Sequence, residues 1–102
     1  MANRGILAID QGTTSTRSVV YDAETLLPLA ASQKEIRQYF PQDGWVEHDA
    51  EEIWRTVAET VQEAMRQSGV EPQKLVGIGI TNQRETVVVW ERATGRAVHR
   101  AI

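Results

Sequence analysis

The chain is 102 residues long, 41% hydrophobic and 25% charged, with a formal net charge of −3. That leaves room for one domain with a small core, and the mild acidity argues against a nucleic-acid partner, because phosphate backbones recruit strongly basic surfaces. The absence of cysteine excludes disulfides and thiolate metal sites and suits a reducing cytoplasm.

The apolar run at residues 6–9 is too short for a signal-peptide core. No stretch approaches the ~20 apolar residues needed to span a bilayer, so a cytoplasmic protein without a membrane span is expected. Residues 5–10, closed by Gln11-Gly12, have the pattern of a buried strand. Residues 16–22 are rich in β-branched side chains and predict a second strand, and 29–36 predict a third. Short connections make the three an antiparallel meander. Pro41, Asp43 and Gly44 make 38–48 an irregular loop.

A helix is predicted over 50–68. Asp49 is placed to accept from the backbone at Glu52, a capping-box-like start. Ile53, Trp54, Val57, Ala58, Val61 and Met65 recur at helical spacing as one apolar stripe. Gly69 stops the helix and Pro72 prevents it from resuming nearby. Trp45 and Trp54 are expected to anchor loop and helix to the core. Residues 75–81 are apolar on both faces, the pattern of a strand buried between layers, and Gly77 and Gly79 should permit close approach of a neighbour. A further strand at 86–91, a turn at Thr94-Gly95 and a short strand at 97–101 complete the order β-β-β-α-β-β-β.

Two polar segments could carry chemistry. In Asp10-Gln11-Gly12-Thr13-Thr14-Ser15-Thr16-Arg17 a strand ends in a carboxylate, and a glycine turn leads into four hydroxyl residues and a cation. Glycine lets backbone approach a bulky anion, and successive amides make an anion-binding concavity. Hydroxyls and Arg17 add donors for phosphate oxygens, and Asp10 can hold Mg²⁺, through water. No Lys-Ser or Lys-Thr follows the glycine, so this is not a P-loop. Taken alone, the segment also fits a hairpin turn built from ordinary turn residues.

Thr81-Asn82-Gln83-Arg84-Glu85-Thr86 is more polar than a tight hairpin needs. Arg84 can only donate and Glu85 can only accept, so together they can fix the two faces of vicinal hydroxyls. From spacing alone, a solvated turn with an incidental ion pair is the better fit. His48 at the helix entrance and His99 read as cap or surface residues rather than as a metal or acid/base site.

Taken together these segments point further. Residues 8–17, the string Phe40-Pro41-Gln42-Asp43-Gly44-Trp45-Val46-Glu47-His48-Asp49, and residues 77–86 closely resemble the glycerol kinases. Those enzymes are FGGY carbohydrate kinases, in the actin and hexokinase group with ribonuclease-H-like domains. The resemblance covers essentially the whole chain. It implies an α/β fold, a mixed sheet with one main helix, with residues 1–102 forming the first part of the amino-terminal ribonuclease-H-like domain. It further implies that Thr13, Thr14 and Ser15 line the nucleotide phosphates, with Thr13 also near the transferred phosphoryl. Arg17 would contact ADP, Asp10 would sit by Mg²⁺, and Arg84 and Glu85 would hydrogen-bond glycerol. ATP and Mg²⁺ are the implied cofactors, glycerol and ATP the partners, and the whole enzyme a homo-oligomer.

Such kinases run to roughly five times this length, with the catalytic base and the adenine pocket far beyond residue 102, so the chain alone is expected to be inactive. Asp10 does not stand in for that base. Rival readings are an FGGY kinase for another sugar or polyol, a non-catalytic binding module that retains the fold, and an actin-like or chaperone ATPase, which would share only the first motif. One helix covers one sheet face, so apolar side chains between 75 and 89 should be exposed on the other and drive association.

Overall fold

The computed structural model describes residues 4–83 and 86–102. Strands β1 (Gly5–Gln11), β2 (Ser15–Asp22) and β3 (Pro28–Glu35) form the predicted antiparallel meander, with Leu7 opposite Val20 and Ser18 opposite Ser32. The β2–β3 turn is tied by Asp22, whose carboxylate accepts from the amides of Glu24 (2.8 Å) and Thr25 (3.0 Å). These two bonds, Thr25's first, hold the Asp22 carboxyl below its ordinary range. Within the predicted loop, its two ends pair as minimal antiparallel strands, β4 (Gln38–Tyr39) and β5 (Glu47–His48).

Helix α1 spans Ala50–Ser68, as its stop and start residues predict, and Gly69 closes it at φ 73°. The cap differs from the expected one. Asp49 accepts from the amide of Glu51 at 3.0 Å, and Glu52 instead accepts from the backbone N–H of Arg37 at 2.5 Å. The reciprocal half of a capping box is absent because that carboxylate ties the helix to the β3–β4 connection.

The buried line of α1 is Thr56, Thr60 and Ala64, at i, i+4 and i+8. Ala64 joins Leu7, Val20 and Val70 in the core, with Ile9, Val61, Met65 and Leu75 packed around them. The predicted stripe therefore flanks the contact rather than forming its centre. Trp54 is 66% exposed and Trp45 53% exposed, so neither anchors the core as expected. Hydroxyl pairs fill the seam instead: Thr16 with Thr56 at 2.8 Å and Ser18 with Thr60 at 2.9 Å.

After a single 3-10 turn at Pro72–Lys74, β6 (Leu75–Thr81) returns parallel to β1, giving the sheet order β3-β2-β1-β6. It is not buried between layers. Val76, Ile78 and Ile80 are exposed, because α1 lies over β1, β2 and β3, and Gly77 and Gly79 face open space rather than a neighbour. Exposed apolar positions at 76, 78, 80, 87 and 89 match the expectation that one face stays bare.

The predicted strands at 86–91 and 97–101 occur as an irregular hairpin with isolated bridges. Trp90 pairs with Ala97 around a turn at Gly95 (φ 75°), and Val89 accepts from the amide of Val98 at 2.8 Å. That register would set Val87 opposite Arg100, yet Val87 bonds Ile102 in both directions. Ala101 is drawn instead to His48, also in both directions (2.9 and 2.7 Å). The slip between the two registers breaks the ladder. No helix among the described residues is long and apolar enough to cross a membrane.

Candidate functional site

The β1–β2 connection is a three-residue turn, Gly12 to Thr14, closed by the Gly12 amide donating to the Ser15 carbonyl at 3.0 Å. Its carbonyls are held from outside. Ile36 donates its amide to the Thr14 oxygen at 3.0 Å, and the Nε2 of His48 lies 2.9 Å from the Thr13 oxygen. From below, the hydroxyl seam reaches the same turn. The Thr16 hydroxyl, 2.8 Å from that of Thr56, donates to Gln11 Oε1 at 2.6 Å, while Thr56 donates to the Ile53 carbonyl of its own helix at 2.8 Å. The Gln11 amide then donates to the Gly12 carbonyl at 3.1 Å. The backbone of the turn is thus fixed by buried groups, while the side chains of Thr13 and Thr14 stay exposed and Ser15 half-buried.

The structure spreads the predicted phosphate-binding residues over three hollows rather than one. Thr13 opens into a cavity of about 690 Å³ with Trp45, Val46, Glu47, His48 and Thr86 on its walls. Thr14 and Ser15 line a second of about 450 Å³ beside Gln33 and Phe40, where Gln33 donates to the Ser15 hydroxyl at 2.9 Å. Asp10 and Arg17 are directly opposed across β1 and β2. They line a third hollow, about 440 Å³, on the sheet face away from the helix, together with Thr81. The Thr81 hydroxyl donates to Asp10 Oδ1 at 2.9 Å.

Arg84 and Glu85, the predicted polyol pair, lie outside the described residues. Of their sequence neighbours, Thr86 lines the first cavity and donates to Gln83 Oε1 at 3.1 Å. Gln83 is buried, and its Nε2 has no hydrogen-bond partner among the described residues. No group of three or more His, Cys, Asp or Glu able to hold a metal occurs among the described residues.

Two residues at this site escaped sequence reasoning. His48, read as a cap or surface residue, is 4% exposed, as is Glu47. Along a strand successive side chains alternate in direction, so one reaches the turn while the other turns to the far side. There Glu47 lies 3.6 Å from Arg100 and 3.9 Å from His99. The Arg100 guanidinium in turn sits 3.8 Å from the centre of the Tyr39 ring, and that of Arg37 4.6 Å from it. A two-residue strand shows no periodicity, so nothing short of the pairing with residues 38 and 101 reveals this burial.

Residues 5–102 match the amino-terminal domain of the FGGY family of carbohydrate kinases. Among curated proteins, the glycerol kinase of Rhizobium meliloti (strain 1021) is 59% identical over 97 residues, covering 95% of this chain and 19% of the relative. The glycerol kinase of Ligilactobacillus salivarius (strain UCC118) is 51% identical over all 102 residues, 20% of its length. The chain thus spans about a fifth of the curated relatives it matches. Among solved structures, Plasmodium falciparum glycerol kinase with ADP superposes with a TM-score of 0.85 at 36% identity, over 99% of this chain and 20% of that one. A gluconate kinase from Lactobacillus acidophilus superposes equally well, TM-score 0.86, but at 21% identity over 99% of this chain and 20% of that one, which speaks for the fold alone.

Proposed function

The chain belongs to the FGGY family of carbohydrate kinases, and from that premise we propose that it is the opening part of the amino-terminal domain of an ATP:glycerol 3-phosphotransferase. The observation that carries the substrate choice is the gap in identity. Proteins named glycerol kinase share 36–59% of this sequence, whereas gluconate and xylulose kinases share its fold at 18–22%.

In this reading the exposed hydroxyls of Thr13 and Thr14, with Ser15, receive nucleotide phosphates on a turn whose backbone is already held. Catalysis by such a site is positioning and charge stabilisation, for which groups fixed before substrate arrives are effective. Arg17, exposed on the open face, supplies a cation toward ADP. Arg84 and Glu85 hydrogen-bond glycerol hydroxyls.

The fit of Asp10 to Mg²⁺ is that of a water-mediated contact. One of its oxygens accepts from Thr81, and its carboxylate is exposed. Magnesium typically keeps several waters and leans on one or two carboxylates plus substrate phosphates. When bound, the ion neutralises phosphate charge. Asp10 is not the base that accepts the glycerol proton, and none of residues 1–102 takes that role. A cytoplasmic, homo-oligomeric enzyme goes with this function.

The test is a chimera in which this chain replaces the matching segment of the Rhizobium meliloti glycerol kinase, assayed for glycerol-dependent ADP release. Activity is expected, and Arg84→Ala or Glu85→Ala should raise the KM for glycerol at least tenfold with little change in that for ATP. An inactive chimera, or an unchanged glycerol KM in both variants, would sink the proposal. The 102-residue chain by itself should release no ADP above background in the same assay.

A further inference from the structure

We infer that His48 is a positioning residue for the phosphate-binding turn, a role that rests on the phosphotransferase reading above. The ring is not needed to hold its own strand. The backbone of His48 is already paired with Gln38 on one side and, through two hydrogen bonds of 2.9 and 2.7 Å, with Ala101 on the other. Yet the side chain is almost wholly buried, with its Nε2 2.9 Å from the Thr13 carbonyl oxygen. A carbonyl only accepts, so Nε2 carries the proton and donates.

A trans peptide is planar, with C=O and N–H pointing opposite ways. Holding the Thr13 oxygen toward the imidazole therefore turns the Thr14 N–H to the other side of the turn. Ile36, donating to the Thr14 oxygen at 3.0 Å, fixes the next peptide in the same manner. Two consecutive peptide planes in the turn are thus set by donors from outside it, one a side chain and one a main chain. The side-chain donor can be removed by substitution without altering the main chain. His48 and Thr13 also share the cavity of about 690 Å³, so the ring sets the wall from which the Thr13 hydroxyl projects. His48 acts through Thr13 and Thr14.

The substitutions that test this are His48→Gln, which keeps an N–H donor at the end of the side chain, and His48→Leu, which fills the site without one. Both are made in the chimera described above, with thermal melting as a check on folding. His48→Leu should lower kcat about 10- to 100-fold, the scale of a misplaced catalytic contact, with the KM for glycerol changed less than twofold. His48→Gln should recover most of the loss. Amide exchange at Gly12, whose N–H closes the turn on the Ser15 carbonyl, read without substrate, should quicken at least tenfold in His48→Leu and return toward the native rate in His48→Gln. Exchange that ignores the substitution overturns the clamp itself. Quickened exchange with unchanged kcat, or equal losses in the two variants, overturns the positioning role while leaving the phosphotransferase reading intact. Should the unsubstituted chimera fail to phosphorylate glycerol, it is that reading which fails, and the clamp is decided by the exchange rates alone.

Discussion

The two faces of the sheet treat polar side chains in opposite ways. Beneath α1, Thr16, Ser18, Thr56 and Thr60 are buried, and hydroxyl bonds hydroxyl across the helix–strand contact. On the far face, Asp10 and Arg17 stand exposed, each opposite the other in register. Buried polar groups must find partners within the protein, since an unpaired one costs about 1–3 kcal/mol. Exposed ones carry no such obligation and can meet a ligand. Burial, more than residue type, separates a threonine that holds the fold from one free to touch a phosphate.

The largest expected effect contrasts the faces directly. Leu7→Ala, under the helix, should lower stability in urea by about 2–5 kcal/mol, whereas Ile80→Ser on the open β6 should stay within roughly 0.5 kcal/mol. Equal losses would erase the contrast. Next, Thr13→Val in the chimera should reduce kcat on the order of 100-fold, as loss of one preorganised donor does, while its melting temperature hardly moves. A comparable fall in melting temperature would make Thr13 a structural residue instead.

Within the seam, Thr60→Val should cost about 1–3 kcal/mol by stranding the Ser18 hydroxyl, and Ser18→Ala less, because Thr60 keeps its bond to the Val57 carbonyl. The double variant should cost less than the sum, and strict additivity would mean the 2.9 Å contact carries no coupling. The smallest effect lies on the exposed side of the helix. Arg66 first, then Gln67, hydrogen-bond Glu63 and hold its carboxyl down from 4.5 to about 2. A carboxyl lowered on folding contributes stability above its unfolded value, and that contribution is lost as pH falls from about 4.5 toward 2. Glu63→Gln should therefore slightly flatten the acid side of the melting-temperature profile. A profile that does not change would remove the pair from the account, as solvent screening allows for many surface pairs.

Sequence patterns expose the elements whose determinants are local. The limits of α1 follow from Asp49, Gly69 and Pro72, and the meander from short turns between β-branched runs. The turn that carries Thr13, Thr14 and Ser15 is equally plain, because glycine and hydroxyl residues sit together. What stays hidden depends on distant partners. Thr56 and Thr60 look like solvent-facing positions until Thr16 and Ser18 are brought beneath them. His48 looks like a surface residue until Thr13 arrives from 35 positions away. Trp54 errs the other way, since helical spacing marks a flank of the apolar side as readily as its centre. The last hairpin resists because Ala101 is claimed by His48 rather than by the opposing arm.

The place of β1 in the sheet has a consequence for the order of folding. On one side β1 meets β2 across three turn residues, so that hairpin can close within microseconds. On the other side it must wait for β6, which starts roughly sixty residues after β1 ends, and closing so long a loop costs more entropy and delays the pairing. The turn that carries the hydroxyls can therefore be shaped early, as the nascent chain leaves the ribosome. The carboxylate of Asp10 gains its Thr81 partner only when the last regular strand docks.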